Sequence, residues 1–180
     1  MSGLEAIYWG QKYPDEVVAI IGLDPLIPSA LEVLPEPSMA ALNVTHVASR
    51  IGLSRLMPEE DLGAVIPLLG LDELDDDEKR QYAAVFFRSA VTTPMLDEVR
   101  RLHTNAQMVA DGGIPVDIPA YFFSSSDQET VAPGWLDAQK GFVSAMQTGR
   151  HLHLETGHYV HYEKADVIAE EATAFLRDIR

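Results

Sequence analysis

The run Val17-Val18-Ala19-Ile20-Ile21-Gly22-Leu23 constrains this chain more than any other feature. It is continuously apolar, rich in β-branched residues and short, which is the pattern of a strand covered on both faces. Asp24-Pro25 ends it. Just before it, Leu4, Ala6, Ile7, Tyr8 and Trp9 form an apolar, helix-like run that breaks at Tyr13-Pro14. A helix, a short turn and a buried strand together make the rhythm of a parallel α/β sheet. That rhythm returns late in the chain. Ile118 to Phe123 reads as a strand, Ser124 to Thr130 as a polar loop, and Pro133 to about Thr148 as a helix carrying Trp135, Phe142 and Met146. His151 to Leu154 reads as a short strand and Glu155-Thr156-Gly157-His158 as the turn after it. A final amphipathic helix covers about Lys164 to Ile179, with Val167, Ile168, Ala174 and Phe175 facing inward.

Between Pro28 and about Gly113 no strand pattern occurs. Pro35, Pro37, Pro58, Pro67 and Pro94 cut this stretch into helical pieces. The acid run from Asp72 to Glu78 reads as a solvated helix start, where the macrodipole favours negative charge. Tyr82, Val85, Phe86 and Ala90 make one apolar stripe; Met95, Val99, Leu102, Ala106 and Val109 make another, ending at Gly112-Gly113. The expected organisation is an α/β core, 1–27 and 114–180, interrupted by a helical insertion over 28–113. There are no internal repeats and no low-complexity tract.

Composition narrows the function classes. With 13 Lys+Arg against 28 Asp+Glu, the formal charge is −15, which argues against nucleic acid and against anionic lipid. The absence of Cys excludes disulfides, thiolate catalysis and Cys-based zinc sites. No apolar run approaches the roughly 20 residues of a membrane helix. Met1-Ser2-Gly3-Leu4-Glu5 has no basic leader, so the expectation is a soluble, cytoplasmic protein.

Two late turns carry the chemistry. Asp127 lies four residues past Phe123, and His158 four residues past Leu154. Catalytic groups in parallel α/β sheets gather at the carboxyl ends of the strands. If the two strands are neighbours, both side chains project from one edge. An Asp beside a His fixes the imidazole tautomer and stabilises its charged form, so that the His can act as general base and then general acid. The order acid then His also fits a nucleophile–acid–His chain order. His151 and His153 alternate on one strand face and, with His158 and His161, raise the thought of a metal. No carboxylate pair or i, i+4 His pair supports it, and strand-end polarity is the preferred reading. His46 and His103 fall in the helical insertion, with a solvated or hydrogen-bonded role.

These residues resemble the carboxyl-terminal half of an α/β-hydrolase. Gly157-His158-Tyr159-Val160-His161 followed by Ala165-Asp166-Val167-Ile168 looks like that family's catalytic-His turn and last helix. Phe122-Phe123-Ser124-Ser125-Ser126-Asp127 looks like the strand and loop bearing its acid, and the insertion sits where the family places a cap. Met1-Ser2-Gly3-Leu4-Glu5-Ala6 is similar to the residues after the family's nucleophile. The resemblance implies hydrolysis of an ester-like or other acyl small molecule, with His158 as acid/base, Asp127 orienting it, and no cofactor or metal. It offers Asp24, after the preceding strand, as an alternative acid. The nucleophile would fall just before Met1: a serine, with Asp as the alternative. Ser2 stands two positions beyond that register. The chain would then be catalytically incomplete, with Val17–Leu23 open along one side and inviting self-association or complementation by the missing half. A non-catalytic fragment or small-molecule-binding module is the alternative.

Overall fold

The computed structural model, which describes residues 2–53 and 74–179, is built on three parallel strands. These are β1 (Ile20–Leu23), β2 (Ala120–Ser125) and β3 (Gly149–Leu154), lying side by side in that order. Ile20 pairs with Ala120 and Leu23 with Phe123; on the other side of β2, Phe123 pairs with Leu152 and Ser125 with Leu154. Met1, the prolines at 58 and 67 and the beginning of the acid run at Asp72 lie outside the described residues.

The fold is α/β, and the alternation of side chains along β2 explains its layers. Every residue of β2 is buried. Ala120 and Phe122 face one core with Leu4 and Ile7 of α1 (Ser2–Lys12), Ala30 and Leu31 of α2 (Pro28–Leu31) and Trp135, Phe142 and Val143 of a helix over Trp135–Ser144. Tyr121 and Phe123 face the other core, where Ile168 and Phe175 of the last helix, Ala165–Asp178, close the sheet from below. Phe122 stacks on Phe142, with ring centroids 5.6 Å apart; Tyr121 meets Phe175 edge-on at 5.4 Å. At Gly149 an added Cβ would sit 1.8 Å from the Val143 carbonyl oxygen, so only glycine lets β3 begin against that helix end.

The chain separates into two compact units, one reaching to Pro35 and resuming at Leu102, the other from Glu36 to Arg101. The division falls inside the stretch read as one insertion over 28–113. Helix α2 and the end of α5 (Thr93–Asp111) bury Ala30, Leu31, Leu102, Ala106 and Val109 in the α/β unit's own core. The helical unit contains α3 (Met39–Arg50), whose N-cap Ser38 accepts from Ala41, and α4 (Asp76–Ser89). Asp75 and Glu78 form a reciprocal capping box at the start of α4, which accounts for the acids there. Its packed face is Ala83 and Phe87 with Tyr82 and Phe86, while Val85 is exposed.

The remaining α-helices among the described residues are α6 (Ser126–Val131), α7 (Trp135–Ser144), α8 (Val160–Glu163) and α9 (Ala165–Asp178). In α9 the inner face is Ile168, Ala172 and Phe175, continued by Ile179 just past its end; Val167 and Ala174 point outward. The first strand is shorter than its apolar run. It starts at Ile20, and Val18 is 74% exposed. No helix among the described residues is long and apolar enough to cross a membrane.

Phe122 is fully buried between β1, β2 and α7, so Phe122→Ala is expected to cost about 3–5 kcal/mol. Val18→Thr should change stability by no more than about 0.5 kcal/mol. Denaturant unfolding of the two variants checks both values.

Candidate active site

At the carboxyl end of the sheet the chain leaves β1 through Asp24, which holds a left-handed backbone (φ 50°) directly before Pro25. Asp tolerates that region better than most residues, but a residue before proline ordinarily adopts an extended backbone. The conformation costs about 1–2 kcal/mol and must be held by its surroundings. It turns the carboxylate under the ends of β2 and β3, where it is 2% exposed.

Four donors satisfy this buried anion. Oδ1 accepts from the Trp135 indole Nε1 at 2.7 Å and from the Ser125 backbone N–H at 3.3 Å. Oδ2 accepts from the Ser125 hydroxyl at 2.6 Å and from His158 Nδ1 at 2.8 Å. Burial is the largest single influence on the Asp24 carboxyl and pushes its pKa up. The hydrogen bonds from His158, Ser125 and Trp135, with the positive charge of a protonated His158, together outweigh it and hold the group below the ordinary carboxylate value. Asp24 is therefore ionised, and His158 donates through Nδ1–H. The other ring nitrogen, Nε2, is left to accept a proton, on a side chain that is 50% exposed.

The carboxylate that His158 meets is thus Asp24, the alternative acid, and not Asp127. The reason lies in the segment after Phe123. It does not loop out: Ser124 and Ser125 continue β2 and are fully buried. Ser125 then caps α6, its hydroxyl accepting from Gln128 N–H at 3.2 Å. Asp127 falls in the exposed first turn of that helix, an ordinary place for an acid. Its N–H bonds the Thr156 carbonyl at 3.3 Å, so it lies near the His158 turn. No hydrogen bond links it to the imidazole.

A second polar network runs beside the first. The Ser124 hydroxyl donates to Gln139 Oε1 and lies 2.8 Å from His151 Nε2, while Gln139 Nε2 donates to the Pro25 carbonyl at 2.9 Å. Burial, then the charges of Lys140 and His153, push the His151 pKa down to about 4, with Asp24 opposing. The ring is neutral at physiological pH and donates to Ser124 through Nε2–H. His153 Nε2 lies 3.1 Å from the Ser126 hydroxyl. Among the described residues no three His, Asp or Glu side chains converge to hold a metal ion. His46 bonds the Val91 carbonyl at 2.6 Å within the helical unit. Ser2 sits exposed at the start of α1, and no hydroxyl of a described residue is hydrogen-bonded to His158.

Trp135, Ser125, Ser124 and Gln139 escape sequence reading, because Trp135 reads as packing and the serines as loop. The available signal was Trp135 itself. A buried indole N–H needs an acceptor, and Asp24 is the acid whose strand end borders its helix.

No family model matches the chain. The uncharacterized protein YbdG of Bacillus subtilis (strain 168) is 26% identical over 186 residues, covering 100% of this chain and 57% of the relative. The chain therefore spans little more than half the length of that protein. Among solved structures, DBJA in its HIS-DBJA form is 16% identical, with a TM-score of 0.48, over 97% of this chain and 64% of that one. The wild-type form gives 15% and 0.49, over 98% and 65%.

Two titrations govern the acid limb of stability. His151 takes up a proton near pH 6.5 when unfolded but only near 4 when folded, so stability falls as the pH drops through that interval. The folded Asp24 titrates below its ordinary 3.8, so its contribution is complete above that pH and disappears as the pH falls through the lower, folded value. His151→Gln, which keeps a donor for Ser124, should flatten the loss of Tm between pH 6.5 and 4 and leave the steeper loss below 3.8 in place. Circular-dichroism melts across that pH range provide the measurement.

Proposed function

We propose that Asp24 and His158 form the proton-transfer half of a hydrolytic site acting on an ester-like or other acyl small molecule. The observation that carries this reading is the 2.8 Å bond from His158 Nδ1 to a carboxylate buried at the sheet's carboxyl end. Parallel α/β sheets place their reacting groups at that end. A buried anion on Nδ1 fixes the tautomer that a general base requires. The resemblance to α/β-hydrolases in the His158 turn supports the same reading, with Asp24 taking the acid's role.

In this scheme a hydroxyl from outside the 180 residues attacks the acyl carbon as His158 Nε2 accepts its proton. Collapse of the tetrahedral intermediate breaks the bond to the leaving oxygen, which receives that proton from the imidazolium. Water then repeats the sequence, its proton passing to Nε2 and on to the departing hydroxyl. Asp24 stays ionised throughout and stabilises the imidazolium. The same reading assigns the side of β1 that no strand among the described residues covers, beside the 39% exposed Leu23, to a further strand from outside the chain.

The test uses the protein carrying these residues, isolated from its native cells and probed with a serine-directed phosphonate and a panel of acyl esters. Labelling that disappears on His158→Ala supports the proposal. Asp24→Asn should lower ester turnover by about 10³–10⁴-fold, the scale of losing the correct tautomer. Asp127→Asn should stay within roughly a factor of three, the small effect expected of an exposed group away from the pair. Absence of both labelling and ester turnover in the isolated protein would overturn the hydrolytic reading, and loss of turnover in Asp127→Asn alone would overturn the choice of acid.

A further inference from the structure

We infer that α7 is a clamp on the acid turn, with Trp135 and Gln139 as positioning residues for the Asp24–His158 pair. The inference rests on the reading of that pair as the proton-transfer group. Trp135 and Gln139 stand four residues apart and share a face of the helix. They hold successive parts of one turn. Trp135 Nε1–H reaches the Asp24 carboxylate at 2.7 Å, and Gln139 Nε2–H reaches the carbonyl of Pro25 at 2.9 Å. One bond fixes the side chain that faces His158; the other fixes the backbone that must stay left-handed to aim it.

Gln139 is the telling residue. It is fully buried on a helix whose neighbours Phe142 and Val143 supply the apolar packing. A leucine or methionine would fill its place without the cost of burying an amide. The amide instead bridges three elements. Its nitrogen holds the Pro25 carbonyl after β1, and its oxygen accepts from Ser124 at the end of β2, which in turn meets His151 on β3. The acid turn is thereby tied to both strands that flank the path to His158. Tension in a left-handed residue before proline is what such a tie would resist.

The experiment follows the His158 Nδ1–H proton by NMR in the full 180-residue chain, without substrate. Its exchange with water reports how often the Asp24–His158 bond opens. Trp135→Phe and Gln139→Met, which keep bulk and remove donors, should speed that exchange about tenfold, the worth of one buried hydrogen bond. Phe142→Leu, which weakens the same helix without touching the network, should lower Tm and leave the exchange unchanged. Should Trp135→Phe or Gln139→Met fail to fold, replacing tryptophan by benzothienylalanine keeps the ring's volume, removes only the N–H, and should give the same acceleration. Wild-type exchange in whichever donor-deleted forms fold, or equal acceleration in Phe142→Leu, would refute the clamp. A clamp upheld here in a protein that no phosphonate labels would leave α7's role intact and remove the hydrolytic reading, so the two failures are distinguishable.

Discussion

A single buried anion organises this end of the molecule. Asp24 is almost wholly removed from water, and an unpaired carboxylate there would carry a penalty of several kcal/mol. It is tolerated because four donors converge on it from the end of β2, the start of α7 and the turn after β3. Together they tie three different elements to the end of β1. Removing one leaves a charge without its partner in low dielectric, which costs more than the pair contributes when complete. The carboxylate that orients His158 is in this sense also a fastener of the sheet's carboxyl edge.

The two consecutive serines of β2 divide that edge between two networks. Successive residues of a strand point to opposite sides, so Ser125 turns to Asp24 and Ser124 to Gln139 and His151. One network is charged and ends on a half-exposed imidazole. The other is neutral, because burial and nearby positive charge keep His151 unprotonated. Gln139 and Trp135, on one face of α7, join them. A neutral hydroxyl–amide network beside a charged pair supplies fixed dipoles without adding a further charge to the buried edge.

What sequence reveals here follows the physical range of each signal. The β-branched apolar run announced β1 and the parallel sheet, although only Ile20 and Gly22 of the strand are buried and Leu23 is exposed. It overstated the strand's length, because Val18 is apolar yet exposed. His158 was legible from its turn, but the identity of its acid was not. Asp127 looked right by spacing only if Ser124 to Thr130 was a loop. Two serines in a strand are polar in sequence and buried in the fold, and the partners that set their networks, Gln139, His151 and Asp24, lie 15 to 101 residues away in the chain. Local pattern carries no information about such partners. The inner face of α9 slipped for a related reason. Val167 and Ala174 each neighbour a true core position, and only contact with Tyr121 and Phe123 decides which side of the helix packs.

Every group that fixes the acid and the imidazole belongs to the unit made of the residues up to Pro35 and from Leu102 onward. The pair's geometry is therefore set by the same core that makes the sheet: Phe122 against Phe142 on one face, Tyr121 and Phe123 against Phe175 on the other. An Asp–His pair assembled this way has its geometry set by the fold itself, because its orienting bonds are formed when the strands pair and α7 docks. The cost of the left-handed Asp24 turn is met by that docking and not by ligand binding. The imidazole is thereby held with Nδ1 on the carboxylate and Nε2 turned away from it.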